Sequence, residues 1–318
     1  MPVGGFDPLT WVHFHEADPG TTWTKDTAPA IEFNSLVPGS GVLTPNVVAL
    51  AEGGYRMYYT GFAPGMTKSH LLGHILSASS PDGSSWTLDD GVRIDVHGPH
   101  ASQRTLCPDV VPIPGGGYRM YYEARTPDAP TVILSATSRD GLDWGLEDGV
   151  RIGDGEWSYG SPRCVYFPSD RGLVYRLYFH HYSFPLVSGL DAQNHIVSAM
   201  SRDGLNFEIE PGVRIAQDTE RETFAVYAPE VVRLGDGSFR MFYAAWAEGI
   251  DGGVFTAVSG DGIAWTKSPK PLLDLDVELD CRMVSEPCVI ELPDRRCRMF
   301  YEARDSEGRA RILSATSG

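Results

Sequence analysis

One pattern returns five times along this 318-residue chain and constrains its fold more than any other feature. The copies are Tyr55-Arg56-Met57-Tyr58-Tyr59, Tyr118-Arg119-Met120-Tyr121-Tyr122, Tyr175-Arg176-Leu177-Tyr178-Phe179, Phe239-Arg240-Met241-Phe242-Tyr243 and Cys297-Arg298-Met299-Phe300-Tyr301. Their arginines stand 63, 57, 64 and 58 residues apart.

A β-rich run with Pro near its head precedes each copy: Thr44-Pro45-Asn46, Cys107-Pro108-Asp109, Ser161-Pro162-Arg163, Ala228-Pro229-Glu230 and Glu286-Pro287-Cys288. Each pair reads as a hairpin. A third strand follows, such as Ile75-Leu76-Ser77-Ala78, and four copies run into a Ser-x-Asp-Gly-x-x-aromatic turn, from Ser80 to Trp86, Ser138 to Trp144, Ser201 to Phe207 and Ser259 to Trp265. Asp bonds its own backbone in such turns, and Gly takes positive φ. Gly-Val-Arg-Ile at Gly91, Gly149 and Gly212 reads as the end of a fourth strand.

Four antiparallel strands in each of five units of roughly 60 residues predict an all-β fold, a single five-bladed β-propeller. The blades fall at about 42–94, 105–152, 160–215, 226–273 and 284–318. The fifth copy stops without a turn or a fourth strand. Phe6-Asp7-Pro8-Leu9-Thr10-Trp11 resembles the missing piece, so an N-terminal strand at about 6–16 is expected to complete the last blade and remove a free edge.

The chain has 26 basic and 42 acidic residues, a formal charge of −16, with no basic cluster. That balance argues against nucleic acid and membrane surfaces as partners. Five cysteines suit free thiols in a reducing compartment. The start lacks a basic and apolar leader, and no apolar run nears the roughly 18 residues of a membrane span, so a cytoplasmic protein is expected.

Strand alternation puts the head of each first strand and the exit of each second strand on one face, opposite the Asp-Gly turns. Long connections at 12–42, 95–106, 183–195, 216–228 and 274–285 feed that face. The first-strand entrance reads Asn46, Asp109, Arg163, Glu230 and, one before its Pro, Glu286. Carboxylates converging on a narrow channel have their pKa values driven apart, which supplies an acid and a base. The second-strand exits add Glu123 and Arg125, His180 and His181, Trp246, and Glu302 and Arg304 as substrate-binding candidates. A structural role competes for the Glu-Ala-Arg pairs as cross-strand ion pairs, and for Trp246 as a core cap. No cofactor is called for; a divalent metal held by His97, His100, His180, His181 or His195 is a minor alternative, since no tight ligand motif is present.

These features together resemble the five-bladed glycoside hydrolase superfamily of families 43, 32, 68 and 130. The resemblance implies a first-blade Asp as base or nucleophile, a second Asp that tunes it, and a Glu beside a Pro as the acid. Carried onto this chain, Asp109 becomes the base or nucleophile, Glu286 or Glu230 the general acid, and Arg163 a ligand for a hydroxyl or carboxylate. Asn46 and Arg163 depart from the pattern where the family has acids. The implied function is a glycoside hydrolase-like enzyme acting on a small glycoside or oligosaccharide. The alternatives are a propeller enzyme of another class, a metal-assisted or acid/base lyase, cyclase or hydrolase, and a non-catalytic carbohydrate or metabolite binder.

Overall fold

The computed structural model describes residues 14–32, 41–62, 73–169, 172–185, 194–247, 250–275 and 278–318. Beyond strands and connections, the described residues hold two single-turn 3-10 segments, Glu220–Glu222 and Glu278–Asp280. No helix among them is long and apolar enough to cross a membrane.

The chain opens with β1 (Phe14–His15) and β2 (Trp23–Lys25). Antiparallel units then follow one another. The first is β3 (Val42–Ala49), β4 (Tyr55–Phe62), β5 (Gly73–Ser80) and β6 (Thr87–Leu88). The second is β7 (Arg104–Pro112), β8 (Tyr118–Arg125), β9 (Val132–Ser138) and β10 (Gly145–Leu146). The third is β11 (Trp157–Ser169), β12 (Gly172–Ser183), β13 (His195–Ser201) and β14 (Glu208–Ile209). The fourth is β15 (Ala225–Leu234), β16 (Phe239–Ala247), β17 (Ile250–Ser259) and β18 (Thr266–Lys267). The fifth has β19 (Met283–Glu291), β20 (Cys297–Arg304) and β21 (Ala310–Ser317), and β2 pairs with β21 as its fourth strand.

Two details differ from the sequence reading. Each fourth strand is only two or three residues long, and Gly-Val-Arg-Ile instead makes a single bridge back to the third strand, Ile94 on Ile75, Ile152 on Ile133 and Ile215 on Ile196. The N-terminal strand of the fifth unit is Trp23–Lys25, led by Gly20-Thr21-Thr22-Trp23 with the same Gly-to-Trp spacing as Gly83 to Trp86. Phe6 to Trp11 lies outside the described residues. Phe14 and His15, also assigned to that blade, pair in parallel with Arg233 and Leu234 of the fourth unit.

The recurring residues clasp each unit to the next. In each Ser-x-Asp-Gly turn the Ser hydroxyl receives the Gly amide and the Asp accepts the two following amides, as in Gly83 N to Ser80 Oγ at 2.9 Å and Ser84 N to Asp82 Oδ1 at 2.8 Å. The turn's outward carbonyls then receive the repeat Arg and Tyr of the preceding unit. Arg56 Nη1 donates to Asp140 O at 2.8 Å and Tyr58 Oη to Gly141 O at 2.9 Å. Arg119 with Tyr121 and Arg176 with Tyr178 repeat this on the third and fourth units. Arg240 instead grips the Asp18 carboxylate beside the Gly20 turn, and Arg298 of the fifth unit donates to Gly83 O of the first at 2.9 Å.

The aromatic at the centre of each repeat meets the turn aromatic of the following unit edge to face: Tyr58 on Trp144, Tyr121 on Phe207, Tyr178 on Trp265, Phe242 on Trp23 and Phe300 on Trp86. The apolar core accordingly lies between units. One cluster joins Met57 and Tyr59 of the first unit to Cys288, Ile290 and Phe300 of the fifth.

At the head of each first strand the residue before Pro has left-handed backbone: Thr44, Cys107, Ser161, Ala228 and Glu286, with φ between 46° and 54°. None is Gly, so each position carries strain of about 1–3 kcal/mol. The pairing register breaks at the same place in every unit, which marks a β-bulge. The residue after the Pro then enters a buried layer. Asn46, Asp109, Arg163, Glu230 and Cys288 are each at most 1% exposed. Each side chain reaches the next unit. Asn46 Oδ1 accepts from Val110 N at 3.0 Å, Asp109 Oδ2 from Cys164 N at 2.7 Å, Glu230 Oε1 from Val289 N at 3.0 Å and Cys288 Sγ from Val47 N at 3.2 Å. Arg163, which cannot accept, pairs through Nε with Glu230 Oε2 at 2.9 Å and donates to the carbonyls of Pro45, Pro108 and Pro162.

Two substitutions test these contacts. Trp23→Ala removes the aromatic contact with Phe242 and should lower unfolding free energy by about 2 kcal/mol in urea titration; an unchanged midpoint would show that β2 contributes no packing. Arg163→Met leaves Glu230 buried without its cation and should cost about 3–5 kcal/mol, with Arg163→Met/Glu230→Leu recovering part of the loss. A double variant less stable than the single one would contradict the pairing.

Candidate functional site

Above the buried layer the same bulges turn the residue before four of the five prolines, Thr44, Cys107, Ser161 and Glu286, toward an open pocket of about 300 Å³. The second-strand exits supply Glu123, Arg125, His180, Tyr182, Trp246, Glu302 and Arg304. Face assignment from strand alternation therefore agrees with the geometry.

Three glutamates share this pocket. Glu286 is 6% exposed, accepts from Ser161 Oγ at 3.1 Å on Oε1, and has no hydrogen-bond partner on Oε2. Burial, reinforced by the Glu302 and Glu123 charges and partly offset by Arg163, pushes its carboxyl up to about 8. It is therefore mostly protonated at neutral pH. Glu123 has both oxygens engaged: Oε1 with Arg125 Nη2 at 3.1 Å, and Oε2 with the Ser161 amide at 3.3 Å and the Cys107 thiol at 3.6 Å. Gly160 makes room for it, since a Cβ there would collide with Glu123 Oε2. Glu302 receives both of its Arg304 bonds on Oε1, at 3.0 and 2.8 Å.

Arg125 also donates to Tyr182 Oη at 3.0 Å. Burial, with the nearby His181 and Arg125, depresses His180 to about 3, so its imidazole is neutral. Burial and the flanking Glu286 and Glu123 raise the Cys107 thiol well above its ordinary range. Trp246 packs against Phe224 with ring centroids 4.3 Å apart.

The sequence-derived candidates thus separate into two levels. Glu286, Glu123, Arg125, His180, Trp246, Glu302 and Arg304 line the pocket. Asn46, Asp109, Arg163 and Glu230 lie in the buried layer beneath it, bonded across units. His181 faces away from the pocket, stacked on Trp157 at 5.0 Å and 5.6 Å from His195. Among the described residues no group of three or more His, Cys, Asp or Glu side chains is arranged to hold a metal ion. Tyr182, Asn194, Phe224, Tyr227 and Met283 also line the pocket. They stand outside the repeat, and only their place on the long connections and strand ends signals them.

No protein-family model matches the chain. Two uncharacterized proteins of Mycobacterium tuberculosis, MT1551 of strain CDC 1551 / Oshkosh and Rv1502 of strain H37Rv, are 33% identical to it over 139 residues. The match takes in 41% of this chain and 44% of each relative. Among solved structures, BT0996 in an RGII complex superposes with a TM-score of 0.76 at 16% identity, covering 92% of both proteins. A thermostable family-43 glycoside hydrolase gives a TM-score of 0.67 at 18% identity, over 89% of this chain and 91% of the other. A glycoside hydrolase family 130 structure, from work on hydrolases that target β-1,2-mannosidic linkages in Candida mannan, gives 0.65 at 14% identity, over 96% and 93%. At these identities the likeness is one of architecture: the chain has an all-β fold like that of these propeller structures.

Proposed function

We propose that the chain is a five-bladed β-propeller closed by β2, and that it hydrolyses a small glycoside in the pocket by carboxylate acid/base catalysis. Packing of the fifth unit on the first, through Phe300, Trp86 and Arg298, supports the ring. The observation that carries the function is Glu286: a pocket carboxyl held protonated to about pH 8 beside Glu302 and Glu123. A buried acid beside a second carboxylate is the arrangement glycoside cleavage needs. Glu286 protonates the departing glycosidic oxygen. Glu302, whose Oε2 keeps no hydrogen bond to the described residues, attacks the anomeric carbon or activates water. Glu123, with both oxygens occupied, positions Ser161 and through it Glu286. Asp109 and Glu230 set the geometry of the floor rather than take part in bond cleavage.

Glu286→Gln and Glu302→Gln should each lower kcat/KM about 10²–10⁴-fold on a panel of glycosides. For Glu286→Gln the loss should be larger on methyl than on nitrophenyl glycosides, because only the poor leaving group needs the proton. Full activity in both variants would overturn the assignment.

The same group makes two pH predictions. Activity dependent on protonated Glu286 should decline as pH rises through about 8. The folded carboxyl lies above its ordinary value of 4.5, so its contribution to stability is fully present below 4.5 and lost as pH rises to about 8. The slope between those values should approach about 1.4 kcal/mol per pH unit. Glu286→Gln should remove that component of the stability profile; an identical profile in the variant would show that Glu286 titrates normally.

A further inference from the structure

Four buried polar atoms on the pocket lining have no hydrogen-bond partner: Glu286 Oε2, His180 Nδ1, Asn194 Oδ1 and Ser285 Oγ. Buried polar atoms are nearly always paired, so four orphans on one lining call for a ligand. Their chemistry is fixed by their neighbours. Asn194 Nδ2 donates to Phe224 O at 2.8 Å, which leaves Oδ1 as an acceptor. Glu286 accepts from Ser161 on Oε1, which leaves the acid proton to Oε2 as a donor. His180 is neutral and offers one ring nitrogen of either kind. A donor, an acceptor, an imidazole and a hydroxyl within one small pocket match the glycosidic oxygen and the adjacent hydroxyls of a single sugar ring.

Another part of the lining asks for the opposite. Leu43 of the first unit, Leu106 of the second, Phe224 and Trp246 of the fourth and Met283 of the fifth bring almost no hydrogen-bonding capacity. Hydroxyls of a second sugar pressed against Leu43, Leu106 and Met283 would lose water without gaining partners. An alkyl or aryl group loses nothing there and buries apolar surface. At about 300 Å³ the pocket also sits at the small end for ligand sites.

We infer that the substrate is a single sugar ring carrying an apolar aglycone, rather than a segment of an oligosaccharide. This rests on the reading of the pocket as a glycoside site and names which glycosides it takes. Leu43, Leu106 and Met283 hold the aglycone, Asn194 and His180 hold the ring hydroxyls, and Glu286 meets the glycosidic oxygen.

The test is calorimetric titration of the intact wild-type protein with hydrolysis-resistant 1-thioglycosides. Methyl, phenyl and octyl derivatives of glucose, galactose, mannose, xylose and arabinose would be compared with disaccharides of the same sugars. For the sugar that binds, the phenyl or octyl compound should bind at least about tenfold tighter than the methyl compound, and the disaccharide no tighter than the methyl compound. Met283→Gln should cut the phenyl-to-methyl ratio at least about threefold, and Asn194→Leu should weaken every compound of that sugar alike. A disaccharide binding as tightly as the phenyl compound, or a phenyl-to-methyl ratio near one, overturns the aglycone inference and leaves the hydrolase reading in place. Aglycone-dependent binding without cleavage of the oxygen-linked counterparts sustains this inference and overturns the catalytic reading. Binding of none of these compounds by the folded protein overturns both.

Discussion

The structure depends on one backbone constraint: a left-handed residue before a Pro at the head of every first strand. Strand alternation alone would place successive side chains on opposite sheet faces. The bulge instead sends the residue before the Pro toward solvent and the residue after it into the interior, on two floors of the same axis. Thr44 and Asn46, Cys107 and Asp109, Ser161 and Arg163, and Glu286 and Cys288 divide in this way. The strain is repaid below, where the interior residue bonds to a neighbouring unit's backbone. Arg163 does so as a donor rather than an acceptor. Its fully buried guanidinium replaces one of these contacts with an ion pair to Glu230 and also draws in three proline carbonyls.

The outer contacts use different chemistry toward the same end. A repeat Arg and an aromatic from one unit meet a turn carbonyl and an aromatic of the next. Where the aromatic is Phe242 or Phe300 the hydroxyl is missing, but the edge-to-face contact persists. Fourth strands can then be as short as two residues, because cohesion lies between units as much as within them.

The repeat made the architecture legible because every unit must offer its neighbours the same groups. Spacing alone placed the hairpins, the turns and the face that carries the pocket. The N-terminal strand was harder to recognise, since Asp18-Pro19-Gly20 interrupts the Asp-Gly pair that marks the other turns, and only Gly20-Thr21-Thr22-Trp23 keeps their spacing. The site was half legible. The pocket residues at the ends of second strands follow from direction and length. The inward residue of each first strand does not, because Thr, Cys, Ser and Glu have no preference for positive φ that would announce the bulge. Counting from the Pro without it brings Asp109 and Glu230 to the pocket, whereas Glu286, two residues earlier in its own unit, occupies the level that opens to solvent. Asn194 and Met283 carry no repeat signal, and their role depends on connections whose course the repeat does not dictate.

The two-floor arrangement also separates what holds the molecule together from what it can bind. Thr44, Cys107, Ser161, Ala228 and Glu286 share one backbone conformation and differ in nearly every chemical property. Cohesion is assigned to their neighbours two residues along. A protein organised this way can exchange hydroxyl, thiol, methyl and carboxyl at five equivalent positions while its architecture is inherited intact. Divergence of chemistry at constant shape is thus a property of the strand heads themselves.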